Sequence, residues 1–143
     1  MKTFLVAAFA LFSTSLFAQQ LTANDIAKLS TENFNFGKIK QGVPATATIT
    51  VTNIGKQPLI IEQAAPSCGC TVSDYTKEPI APGKTGTIKA IFNAAAVGPI
   101  NKTITVKFAN VNDVKFVKLT GEVLDATAYG KLQPDSKKVV KKG

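Results

Sequence analysis

The chain has 143 residues and a formal net charge of +8, and all 17 of its basic residues are lysine. The absence of histidine excludes both Ser-His-Asp and Cys-His catalytic arrangements. The absence of arginine removes the side chain that reads guanine by two hydrogen bonds, and no glycine-rich phosphate loop is present, so no nucleic-acid partner and no cofactor are implied.

Residues 1–18 have the pattern of a secretory signal peptide. Lys2 gives a positive start, Phe4 to Leu16 is apolar apart from Ser13, Thr14 and Ser15, and Ala18 precedes the polar Gln19 and Gln20. The apolar run falls short of the roughly 20 residues needed to cross a bilayer. No later stretch approaches that length, so no transmembrane segment is expected after cleavage. The chain is therefore expected to be exported, to the periplasm or beyond the cell. Leu16 stands where a small residue is usual, which affects the cleavage point more than the export.

Residues 19–31 read as a linker in which Leu21 to Leu29 forms a turn of helix or stays loose. Phe34 and Phe36 alternate with Asn35 and stop at Gly37, as in a short strand. Val43 to Asn53 alternates almost throughout, with Ala45, Ala47, Ile49 and Val51 inward and four threonines outward. Asn53, Gly55 and Pro58 mark a turn, and Leu59 to Ile61 a third strand. Residues 64–86 read as loop, and Pro82-Gly83 suits the centre of a type II turn. Thr87 to Asn93 and Ile100 to Phe108 alternate again, placing Ile88, Ala90, Phe92, Ile104, Val106 and Phe108 inward. In the last strand, Val114 to Val123, the inward set shifts by one residue, which predicts a β-bulge near Phe116 and Val117.

About seven short strands with no helix after residue 30 predict an all-β fold, an immunoglobulin-like β-sandwich over residues 32–124; a small closed barrel is the alternative. Residues 125–143 form a lysine-rich tail, in which from Ala126 onward five lysines (131, 137, 138, 141, 142) stand against Asp135. Such a tail is expected to be a solvated extension, and a weak contact with an anionic surface is the second reading.

F-x-F-G-K-I at 34–39, T-x-T-N-x-G at 50–55, P-S-C-G-C-T at 66–71, P-I-A-P-G at 79–83 and L-T-G-E-V at 119–123 occur in order. Together they resemble the bacterial family known as domain of unknown function 1573, over about residues 32–123. That family is common in exported proteins of Bacteroidetes-type bacteria and is similar to the immunoglobulin-like domains of sperm and ciliary proteins. The resemblance implies export and a sandwich, and it carries no catalytic residue to transfer.

The unusual constellation is Cys68-Gly69-Cys70. Packed free thiols and a strained disulfide are the structural readings; thiol–disulfide exchange and a soft-metal site are the others. Two cysteines without histidine cannot complete a structural zinc shell, so no metal is assigned. Asp74, Glu62 and Glu78 flank the cysteine loop and read as solvated carboxylates rather than an acid–base pair. The expected function is a non-enzymatic envelope or secreted module that contacts an unknown envelope protein or glycan. Its expected contacts lie on the loop holding Ser67, Gly69, Thr71, Asp74 and Tyr75, or on an edge strand. A small redox protein using Cys68 and Cys70 is the alternative.

Overall fold

The computed structural model describes residues 20–67 and 71–132, with side chains at all of these except 71–73. The described elements are β1 (Ala27–Leu29), β2 (Asn33–Lys40), β3 (Ala45–Asn53), β4 (Ile61–Pro66), β5 (Thr71–Tyr75), β6 (Thr85–Phe92), β7 (Gly98–Phe108) and β8 (Val114–Leu124). A short helix, α1 (Ala23–Ile26), precedes them, and a second, α2 (Ala126–Leu132), follows. The strands form two four-stranded sheets, ordered β1-β3-β6-β5 and β2-β8-β7-β4, so the fold is the expected sandwich and not a closed barrel.

Alternation along the central strands builds the core. Ala47, Ile49 and Val51 of β3 and Ile88 and Ala90 of β6 face Ile104, Val106 and Phe108 of β7 and Val117 and Leu119 of β8, all of them buried. Each of the isoleucine, valine, leucine and phenylalanine side chains among them stabilises the fold by about 1.5–3 kcal/mol relative to leaving it in water. A smaller cluster of Phe92, Ala94, Ile100 and Val123 closes one end, with Phe36 and Ile39 against it.

The spacing of F-x-F-G-K-I has a geometric cause. Strand β2 runs parallel to β8, and its register slips between Asn35 and Lys38, so that three steps on β2 match two on β8. The Asn35 side chain accepts the Gly37 N–H at 2.8 Å, and Gly37 takes φ +67. This bulge restores Ile39 to the side of Phe34 and Phe36, three rather than two residues after Phe36. Gly121 of β8 makes room for it: a Cβ there would lie 2.8 Å from the Gly37 carbonyl oxygen.

Several expectations are corrected. The supposed linker belongs to the domain: β1 pairs antiparallel with β3, and Ala23, Ala27 and Leu29 are buried. Two of its burial positions are alanines, too weakly apolar to show a period. Residues 64–86 are not one loop, because they hold the end of β4, all of β5 and the start of β6. Glu62, Gln63 and Pro66 mask β4, an edge strand whose final Pro66 lacks a ladder donor. No bulge interrupts the pairing of β7 with β8, whose register is continuous from Gly98↔Val123 to Lys107↔Val114. Lys115, not Phe116, takes the inward position opposite Val106; its side chain is 10% exposed and its Nζ lies 3.2 Å from Glu32 Oε1. Finally, the tail begins with α2, which packs on β2 and β8.

Candidate functional site

The sequence-predicted contact residues are placed apart in role. Strand β4 closes the edge of one sheet and β5 the edge of the other, so the chain from Ser67 to Thr71 links the two edges. Cys68, Gly69 and Cys70 lie outside the described residues. Ser67 extends the β4–β7 ladder: its N–H donates to the Thr103 carbonyl at 2.8 Å and its hydroxyl accepts the Thr103 N–H at 3.1 Å. Thr71 stands opposite Phe92 in the ladder. Asp74 is exposed, accepts the Tyr75 N–H at 2.9 Å and faces Lys89 across the β5–β6 ladder.

Tyr75 spans the sheets. Its ring packs against the core, its hydroxyl donates to the Glu62 carbonyl at 3.1 Å, and Lys77 Nζ sits 5.9 Å from the ring centre. Glu62 also pairs with Lys107 at 2.7 Å, both side chains being about half exposed, and Glu78 is exposed. Ser67, Asp74, Tyr75 and Glu62 are thus engaged in joining strands, and no carboxylate pair is assembled for acid–base chemistry. Among the described residues no cluster of cysteine and carboxylate side chains could hold a metal ion.

A concave feature lies at the far end of the sandwich, where sequence reading placed no contact. It is a groove of about 460 Å³ between the segment Leu21–Ile26, the turn Ile54–Leu59 and the turn Ala109–Val111. Local chemistry fixes all three walls. The Thr22 hydroxyl and N–H donate to Asp25 Oδ2 at 2.7 and 2.9 Å, starting α1. Those bonds, the hydroxyl's first, hold the Asp25 carboxyl below its ordinary value. The Ala23 N–H donates to Asp113 Oδ1 at 2.8 Å, anchoring α1 to the β7–β8 connection.

The second wall hangs on Asn53, which is 1% exposed. Its side-chain amide donates to the carbonyls of Gln57 and Ile80 at 2.8 and 2.7 Å, and its oxygen accepts the Gly55 N–H at 2.9 Å. This buried amide is therefore satisfied and structural. The Ile54 N–H donates to the Ile26 carbonyl at 2.9 Å, bringing the first two walls together. The third wall turns through Asn110 at φ +65 and is tied to Ile60 by the Ala109 N–H at 3.0 Å.

Leu21 and Ile54 stand 56% and 50% exposed on the rim, above Ile26, Pro58, Leu59 and Val111. The groove holds no nucleophile beside a base, only Asp25, Lys56, Gln57 and Asn110 among apolar side chains. Its apolar lining with a few polar groups suits the binding of an apolar segment. Its signal in the sequence was the presence of Leu21, Ile26 and Ile54 inside segments that otherwise read as linker and turn.

No curated protein matches the chain in sequence. Among solved structures it is similar to a protein of unknown function from Porphyromonas gingivalis, with TM-score 0.58 and 18% identity over 71% of this chain and 49% of that one. It therefore spans about half the length of that relative. It is also similar to PapD-like domain 7 of human CEP192, with TM-score 0.56 and 10% identity over 71% of this chain and 87% of that one. A family 123 glycoside hydrolase from Clostridium perfringens gives TM-score 0.58 and 11% identity, over 71% of this chain and 26% of that one. At these identities the likenesses establish an immunoglobulin- and PapD-like sandwich and nothing of activity. The family profile for DUF1573, proteins of unknown function, matches residues 27–123, which include β1 through all but the last residue of β8; the chain belongs to the DUF1573 family.

Proposed function

We propose that this protein is a non-catalytic, exported module of the bacterial envelope that holds a protein partner. The observation that carries the reading is the groove between Leu21, Ile26, Ile54, Pro58 and Val111, in a domain whose buried polar groups serve the fold. The groove favours an apolar peptide segment over a glycan. Sugar recognition uses planes of hydroxyl-directed hydrogen bonds and aromatic faces, and no aromatic side chain lines these walls. Export rests on the signal-like residues 1–18, and the non-catalytic role on the absence of histidine and of any assembled acid–base pair among the described residues. Cys68 and Cys70 have no part in this reading.

The test is fractionation of the native host, followed by cross-linking in intact cells. The proposal predicts a discrete cross-linked species in the envelope fraction that is lost in an Ile54→Asp variant with unchanged thermal stability. A protein found in the cytoplasm, or one that stays uncross-linked at native abundance, would overturn it. Loss of the species only on treatment with glycan-degrading enzymes would replace the protein partner by a glycan.

A further inference from the structure

Lys115 and Lys102 both occupy inward positions of the sheet β2-β8-β7-β4, but the fold provides for them differently. Lys115 of β8 stands opposite the buried Val106 and reaches Glu32 at 3.2 Å. Lys102 of β7 falls between the buried Ile100 and Ile104 and stands opposite the buried Leu119. It is half-buried, and among the described residues no carboxylate pairs with it; the ion pairs there are Lys107–Glu62 and Lys115–Glu32. An ammonium that starts inward without a counter-charge is costly unless its aliphatic stem carries it to an opening.

That opening is a shallow notch of about 250 Å³ at the end of the sandwich away from the groove. Strand β7 runs from Gly98 at the notch to Phe108, which directly precedes the groove residue Ala109. The buried Phe92 and Val123 form the floor of the notch, and Val97 and Pro99 stand exposed around it. Among the described residues that line it, Lys102 is the one charged side chain. Sites that enclose a whole small molecule run to roughly 300–1,000 Å³, so this smaller notch suits a single aliphatic side chain. The backbone beside it is also open. Thr103 spends its carbonyl and its N–H on Ser67, where the pairing of β4 with β7 ends. Two residues away, Asn101 turns its own N–H and carbonyl to the same side, and no described residue pairs with them.

We infer that this notch captures the carboxyl terminus of a polypeptide whose last residue is aliphatic. The terminal side chain covers Phe92 and Val123, and the terminal carboxylate supplies the counter-charge that Lys102 lacks. The chain leading to it lies along β7 and pairs its backbone with Asn101. That open backbone edge favours a peptide over a fatty acid, which has an apolar group and a carboxylate but no amide to offer Asn101. The site is separate from the groove, and its ligand binds independently of what the groove holds.

Protein isolated from the native host is titrated with fluorophore-labelled heptapeptide pools, randomised at the first six positions and ending in leucine or valine with a free carboxyl group. Fluorescence anisotropy should show binding that weakens about tenfold or more when the terminus is an amide, or when the last residue is aspartate. Lys102→Met keeps the stem without the charge, so it should fold like the native protein and lose the preference for acid over amide. Decanoate at matched concentration should not displace the peptides. At the far end, Ile54→Asp should leave the titration unchanged. Equal binding of acid and amide, an intact acid preference in Lys102→Met, displacement by decanoate, or no binding of the free-acid pools would each overturn the proposal. Loss of binding in Ile54→Asp would also overturn it, by assigning the peptides to the groove.

Discussion

The Asn53 side-chain amide donates to the Ile80 carbonyl at 2.7 Å inside the protein, joining the last residue of β3 to the turn before β6. Ile80 also pairs its backbone with Leu59 in both directions, at 2.8 and 2.9 Å, so one carbonyl and one amide hold three chain segments. Asn53→Ala takes a donor from the Gln57 carbonyl, one of two donors from the Ile80 carbonyl and the acceptor from the Gly55 N–H, and is expected to cost about 3 kcal/mol. Asn53→Asp is expected to cost at least as much near neutral pH, because a carboxylate oxygen then faces two carbonyls. Urea unfolding of the two variants checks both.

Two glycines separate strain from crowding. Gly83 is the third residue of the turn closed by the Lys84 N–H on the Ala81 carbonyl at 2.9 Å, with φ +75 and open space where a Cβ would be. Gly83→Ala should therefore cost only the conformational term, about 1 kcal/mol. Gly121→Ala must in addition push away the Gly37 carbonyl, 2.8 Å from the new Cβ, and should cost about 3 kcal/mol with loss of β2 protection in hydrogen exchange.

The two phenylalanines of the C-terminal hairpin should behave oppositely. Phe108 is fully buried, and Phe108→Ala is expected to destabilise by about 4 kcal/mol. Phe116 is 57% exposed on the outer face, and Phe116→Ala should change stability by less than about 0.5 kcal/mol. Thermal melts of both variants measure the contrast.

That contrast also shows where sequence reading loses its grip. Strands β3, β6 and β7 were legible because their apolar inward residues alternate with mostly polar outward ones over most of each strand; Pro82-Gly83 was legible because its chemistry fits only a few turns. In β8 the inward Lys115 read as a surface residue and the outward Phe116 as core, and a bulge was invoked to reconcile them. The lysine is tolerated inside because its stem packs against β7 while its ammonium reaches Glu32 at the rim. The N-terminal segment was missed because Ala23 and Ala27 are buried by tertiary pairing that leaves no periodic trace. The groove was missed for a related reason: its walls come from the α1 segment and two turns far apart in the chain, so no local window contains it.

Acid should loosen the groove's first wall. Asp25 accepts two bonds from Thr22 as a carboxylate, which holds its folded value below the ordinary 3.8. Its contribution is complete above 3.8 and is lost as pH falls through the lower, folded value. Thr22→Ala removes the hydroxyl donor and should move the Asp25 titration upward toward 3.8, followed by its carboxyl carbon in NMR.

The central claim, that this sandwich works by holding a protein partner at the groove, is tested most directly by a photo-reactive residue introduced in living cells at Ile54, and separately at Thr48. Thr48 is exposed on the outer face of β3, away from the groove. The account predicts one discrete protein adduct from position 54 and none from position 48. No adduct from either position, or the same adducts from both, would contradict it.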